Sequence, residues 1–249
     1  MFDGLLDPSL GIYAVTAANP KESSWGWYCD KATMGGDIQG KWLGVCLGDE
    51  FSVRWMEDTD AADEEHETLA DQYSAVQAAV NKSHVMKYGN FSFVASPLSA
   101  FLGSEKNTSR TVTRTVAEPR LAKATGVPSR DAELSYLRFR VEELKQSGAM
   151  VEEFAAAEHD LANELASREA ATALFTNAWA RVSGLGAAEF AELYLPPRHF
   201  DCHREVVASA ELQYTDFSLQ YHRIVVNLCE MGFAAANITA AFRGPSASI

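Results

Sequence analysis

Between residues 91 and 130 this chain loses its hydrophobic periodicity, and that break decides how the rest can fold. Ser, Thr and Arg dominate the stretch, Pro97, Pro119 and Pro128 punctuate it, and no apolar face persists at strand or helix spacing. It reads as a loop or processing segment joining two parts. Charge marks the same boundaries. Residues 1–90 carry 15 acidic and 6 basic side chains, and residues 131–249 carry 17 and 9. The segment between them carries only Glu105 and Glu118 against Lys106, Arg110, Arg114, Arg120, Lys123 and Arg130, a net of +4. A basic strip between two acidic blocks is a linker that contacts its neighbours.

The part before the break mixes short strand and helix patterns. Ile12 to Thr16 is a β-rich run after Gly11. Residues 30–44 are glycine-rich, with Gly35, Gly36, Gly40 and Gly44, and read as an irregular loop. Phe51, Val53 and Trp55 alternate with Ser52 and Arg54, the pattern of a half-buried strand. Leu69, Tyr73, Val76 and Val80 recur at helical spacing, with Asp63, Glu64 and Glu65 read as its acidic first turn. Residues 83–89 read as a short closing strand and turn.

The part after the break is helical. Leu134, Leu137, Val141 and Leu144 form one stripe, Phe154, Leu161 and Leu165 a second, and Leu174, Phe175, Ala178, Trp179 and Val182 a third. Pro196-Pro197 stops a short fourth segment. Val206, Val207 and Ala210 open another helix, and Phe217, Tyr221, Ile224, Val225 and Leu228 another. The expected fold is therefore α/β followed by all-α, with domains at 1–90 and 131–249 and the linker at 91–130.

At net charge −13 the chain is a poor partner for nucleic acid, whose phosphates it repels. No apolar run reaches the roughly 18 residues of a membrane span. The first 20 residues lack a basic region followed by an apolar one, so no signal peptide is read. Four cysteines, Cys29, Cys46, Cys202 and Cys229, allow three pairings, and their number alone leaves free thiols equally open. Four Asn-X-Ser/Thr sequons, at Asn81, Asn90, Asn107 and Asn237, favour a secretory-route glycoprotein. Histidines and cysteines show no metal-ligand spacing, so neither a metal nor a cofactor is expected.

Ser23, Ser24 and Asp49 are small polar groups beside apolar runs. A hydroxyl can donate to an amide oxygen and a carboxylate can accept from an amide NH2, so together they could hold a carboxamide side chain. Spacing alone favours a plainer reading, in which Asp49 caps the turn after Gly48.

Two longer segments carry a resemblance. Ala18-Asn19-Pro20-Lys21-Glu22-Ser23-Ser24-Trp25-Gly26-Trp27-Tyr28-Cys29 and Cys46-Leu47-Gly48-Asp49-Glu50-Phe51-Ser52-Val53-Arg54-Trp55-Met56-Glu57-Asp58 resemble the legumain family of asparaginyl endopeptidases, and Ser83 to Gly89 extends the match. The resemblance implies the C-terminal half of a caspase-like α/β domain, then a death-domain-like helical prodomain that sits over the active site. It implies an S1 pocket lined by Ser23 and Asp49. It implies disulfides Cys29–Cys46 and Cys202–Cys229, the latter through Asp201-Cys202 and Val226-Asn227-Leu228-Cys229-Glu230. It implies acid-pH processing after asparagine in the linker, where Asn107 is the best-placed residue. The family's cysteine and histidine segments have no match here; the expectation is an inactive C-terminal portion whose nucleophile lies upstream. The expected partners are peptides with asparagine at the cleavage site and the protein's own N-terminal peptidase half, in a vacuole, lysosome or secretory compartment. An alternative is a non-catalytic protein that regulates full-length legumains through its prodomain.

Overall fold

A computed structural model describes residues 2–29, 46–103, 126–186, 189, 193–211 and 221–243. The glycine-rich loop and Asn107 lie outside these residues. The chain divides into two compact units, one of residues 6–158 and one of residues 159–249 with the first five residues. The architecture is mixed, with many helices and few short strands.

In the first unit, β1 (Tyr13–Thr16) pairs antiparallel with β4 (Met86–Gly89), and Tyr13 faces Gly89 across the ladder. Gly89 has φ +87°, and a Cβ there would stand 2.1 Å from the Ile12 carbonyl oxygen, so only glycine closes this end. A second sheet has β2 (Trp25–Trp27) at its centre, flanked by β3 (Gly48–Asp49) and β5 (Val127–Pro128), both antiparallel to it.

The alternating run at 51–55 is not a strand. It lies in α1 (Glu50–Ala61). Asp49 is the reason: its backbone is extended and its carboxylate accepts the Ser52 N–H at 3.3 Å, which starts a helix one residue later. Phe51 and Trp55, four residues apart, then share the face packed on Val76, Val80 and Val85. Five residues of alternation satisfy both periods, and the cap decides between them.

The next helix, α2 (Leu69–Ala79), starts later than its upstream acids implied. Thr68 and Asp71 form a reciprocal capping box, leaving Asp63, Glu64 and Glu65 in the preceding turn. Glu50, 1% exposed, is held by the backbone N–H groups of Asn81 and Lys82, one on each carboxylate oxygen at 3.1 Å. After β4 come a short helix, α3 (Ser99–Leu102), and α4 (Ala132–Ser147).

The second and third stripes belong to one helix, α5 (Val151–Ser183), of 33 residues. No proline or glycine lies inside it, so nothing in the sequence stops it between the stripes. The unit boundary falls within this helix. The second unit continues with α6 (Phe200–Glu211), which begins six residues before Val206, then α7 (His222–Glu230) and α8 (Ala235–Phe242). The sequence reading missed α8. Phe175, Trp179, Val206, Ile224, Leu228 and Ile238 form its core, with Phe175 stacked on Tyr221 at 4.3 Å. No helix among the described residues is long and apolar enough to cross a membrane.

Candidate functional site

The segment leading into β2 is shaped by its own polar groups. Asn19 Oδ1 accepts the Lys21 N–H at 2.8 Å, an Asx turn around Pro20. Glu22 then takes the Asn19 N–H on Oε1 at 2.9 Å and the His84 N–H on the same oxygen at 2.7 Å, while Oε2 meets His84 Nδ1 at 2.9 Å. Burial pushes the Glu22 carboxyl up, but the two backbone N–H groups and the His84 ring outweigh it and hold it below the usual range. Glu22 thereby fixes the start of the Ser23-Ser24 step to the loop before β4. Sequence reasoning missed this role; the only signal for it is a glutamate three residues after an Asn-Pro turn.

Past Ser23 and Ser24, β2 runs between two neighbours. On one side Gly26 pairs with Asp49 and Trp27 with Gly48, and the Leu47 N–H reaches the Tyr28 carbonyl at 3.2 Å. The Cys29–Cys46 disulfide closes this pair. It leaves no room beside β2: a Cβ on Gly26 would stand 2.8 Å from Cys46 Sγ. Tyr28 takes φ +56°, a left-handed conformation costly for a side-chain residue, between the strand and the disulfide. Trp27 is buried beneath the Arg54 guanidinium at 5.8 Å, and its indole N–H has no hydrogen-bond partner among the described residues.

On its other side β2 is occupied by the end of the linker. Trp25 pairs with Pro128 and Gly26 with Val127. Ser129 donates its N–H to the Ser24 carbonyl at 2.9 Å, and the two serine hydroxyls meet at 3.0 Å.

Ser23 is half-buried three residues before Gly26, and Asp49 is half-buried opposite Gly26. One Asp49 oxygen serves the α1 cap. A carboxylate has capacity for further donors, so capping and binding an amide are compatible. The cavity of about 460 Å³ in this unit lies elsewhere, against β1, α1 and α2. Tyr13, Phe51, Trp55, Tyr73, Phe93 and Phe101 line it, and neither Ser23 nor Asp49 does. Burial, then the neighbouring Tyr73, raises the Tyr13 phenol inside it.

All four cysteines are bonded, Cys29 to Cys46 and Cys202 to Cys229. Cys46 is therefore no nucleophile. No cluster of three metal-ligating side chains occurs among the described residues.

Residues 1–104 match the model of the Peptidase C13 family. The chain is 38% identical over 148 residues to the vacuolar-processing enzyme delta-isozyme of Arabidopsis thaliana, covering 57% of this chain and 31% of that protein. It is 30% identical over 242 residues to the legumain of Mus musculus, covering 90% and 50%. It is 30% identical over 254 residues to the vacuolar-processing enzyme beta-isozyme 1 of Oryza sativa subsp. indica, covering 96% and 49%. The chain belongs to the legumain family. It spans about half the length, or less, of these curated relatives. Both regions carrying the legumain resemblance, 18–29 and 46–58, fall inside the family match and meet at the β2–β3 pair.

Proposed function

We propose that these residues form the asparagine pocket and regulatory cap of a legumain-like cysteine endopeptidase. The observation that carries this reading is the β2–β3 pairing, which sets Asp49 opposite Gly26, three residues along from Ser23, within the family-matched region. In the proposed site Ser23 donates to the oxygen of the substrate's asparagine amide, and Asp49 accepts from its NH2 group. A thiolate attacks the asparagine's own main-chain carbonyl, a histidine passes a proton to the leaving amine of the next residue, and water releases the acyl group. With every cysteine here bonded, that thiol comes from outside these 249 residues, and the chain by itself is inactive.

The proposed organisation is a partial caspase-like peptidase domain at 1–90, an activation segment at 91–130 and a death-domain-like prodomain at 131–249. The pairing of β5 with β2 supports a cap that reaches the specificity region. Asn107 is the proposed processing site. The edge of β1 away from β4 has no partner strand among the described residues, and the apolar cavity lies beside it. A two-stranded sheet is marginal alone, which supports the peptidase's own N-terminal half as its partner. The two disulfides and the sequons support passage through an oxidising secretory route to a vacuole or lysosome.

The test is reconstitution with a legumain N-terminal half that carries the cysteine and histidine, assayed on a fluorogenic peptide with asparagine at the cleavage site. Asp49→Asn keeps a good helix cap but loses the charge. The expected result is a fall in kcat/KM of tenfold or more with unchanged thermal unfolding. Unchanged kcat/KM rejects the pocket. The bonded state of every cysteine also favours a second reading, a non-catalytic regulator. Its signature would be inhibition of a full-length legumain by the chain alone, with no activity on reconstitution.

A further inference from the structure

In the second unit the Cys202–Cys229 disulfide ties α6 to α7, and beside that tie two imidazoles meet. His203 follows Cys202 on α6 and His222 opens α7; their ring centroids lie 5.4 Å apart, the planes tilted by 49°. Both residues are half-buried. His203 Nε2 is closed off from solvent and has no hydrogen-bond partner among the described residues. A buried polar atom in that state costs free energy, so its persistence asks for a ligand. The polar groups around it are committed elsewhere. Arg223 on α7 donates to the Leu193 carbonyl. Asn227 holds Leu195 and Leu193. Glu230 accepts from the backbone of Arg198 and His199 and from the His199 ring. On α6 itself, Arg204 pairs with Asp201 at 3.6 Å. Glu205 stands two positions along α6, where helix geometry turns it off the His203 face. Helix α8 carries no charged residue.

The spacing of the pair fits a shared metal ion. Two imidazoles bound at about 2.0–2.1 Å to one tetrahedral ion have ring centroids roughly 5 Å apart. The observed 5.4 Å is within reach of that by a small rotation of either ring. Imidazole donors without a carboxylate suit zinc, copper or nickel and do not suit calcium or magnesium. Each ring gives one nitrogen to the ion and keeps the other for a hydrogen bond that orients it. Water fills the remaining positions, since these are two protein ligands and not three. The histidines sit on different helices, so no local spacing in the sequence announces them.

We propose that His203 and His222 bind one divalent ion of the zinc class, which clips α6 to α7 beside the disulfide. The disulfide already holds the two helices together, so the rings are brought near each other before the ion arrives and little freedom is lost on binding. An ion that binds the folded pair and not the unfolded chain stabilises the fold by mass action. The helical unit therefore gains stability as free zinc rises, and the gain is confined to the elements that the ion bridges.

Zinc titration of the disulfide-intact full chain, stripped beforehand with a chelator, tests this. Calorimetry should show one ion per chain, and the NMR ring signals of His203 and His222 should move together while that of exposed His159 stays. Amides in 200–211 and 222–230 should gain hydrogen-exchange protection several-fold with zinc, those in 50–61 and 69–79 none, and magnesium should change nothing. Loss of a direct ligand costs at least the roughly tenfold that loss of an outer partner does. His203→Gln and His222→Gln should each weaken binding by that factor and abolish the protection. His199→Gln, whose ring is held by Glu230, should bind zinc as the wild type does. A chain that takes up no zinc overturns the site. So does zinc binding that survives both substitutions or is lost with His199→Gln instead. Should either variant not fold, the wild-type ring signals decide, and movement of other histidines without this pair overturns the proposal. None of these readouts needs catalysis, so they stand apart from the pocket assignment.

Discussion

Ser129 and Ser24 are joined twice, backbone to backbone at 2.9 Å and hydroxyl to hydroxyl at 3.0 Å, across 105 residues of sequence. An extended peptide adding to a strand edge uses the same main-chain bonds. The β2 edge is thus filled by the chain itself. Ser129→Pro removes the bonded N–H, and residue 129 lies at the rim of β5 rather than in a core. Exchange of the β2 amides should rise several-fold with the rest of the first unit unchanged. In the reconstituted enzyme, peptide cleavage should rise. Unaltered β2 exchange would show that the pairing contributes nothing.

Gly26→Ala asks how tightly β2 is held against the disulfide. The new Cβ would stand 2.8 Å from Cys46 Sγ and 3.5 Å from Cys29 Sγ, with Asp49 across the ladder. Overpacking of this kind costs about 1–3 kcal/mol. Closing the loop between the cysteines contributes about 3 kcal/mol through the unfolded chain. The variant should therefore melt lower under oxidising conditions, and reduction should narrow its difference from wild type. Differential scanning calorimetry with and without reductant reads both.

What the sequence revealed and what it hid divide along physical lines. Helices with long apolar stripes, such as α4 and the later part of α5, were legible because burial repeats over several turns. Both disulfide pairings were legible only through the family resemblance, since spacing leaves three open. The 51–55 run failed because five residues fit two periods and one carboxylate, Asp49, decided between them. Helix α8 escaped because Ala235–Phe242 is short and nearly all apolar, with no polar face to set a period. At the site, Ser23 and Asp49 could be named but not the groups that hold them. Glu22 and Glu50 act on backbone N–H groups more than 30 residues away, and no local pattern encodes that.

Glu22 gives a pH prediction with a definite sign. Its carboxyl lies below the usual range in the folded chain. Its stabilisation is therefore present above the unfolded glutamate value and lost as pH falls through the folded one. Glu22→Gln should destabilise the first unit at pH 6, and the gap to wild type should close as pH drops below the glutamate range. Denaturant midpoints measured from pH 7 to pH 3 check this. A gap that stays unchanged from pH 7 to pH 3 would mean that the Glu22 charge does not hold the loop.

Asn227 plays in the second unit the part that Glu50 plays in the first. Its amide is fully buried, Oδ1 accepting the Leu195 N–H at 3.1 Å and Nδ2 donating to the Leu193 carbonyl at 2.9 Å. It fixes the chain just before Pro196-Pro197 to α7. Asn227→Ala leaves the Leu195 N–H without that acceptor, while Leu193 keeps the Arg223 guanidinium. An unsatisfied buried donor costs about 1–3 kcal/mol. Asn227→Asp should cost less at acid pH than at neutral pH, because a protonated carboxyl can still donate to Leu193 while accepting from Leu195. Thermal unfolding of the two variants at pH 4.5 and pH 7.5 separates the hydrogen bonds from simple loss of volume: a cost for Asn227→Asp that ignores pH would assign the role to packing.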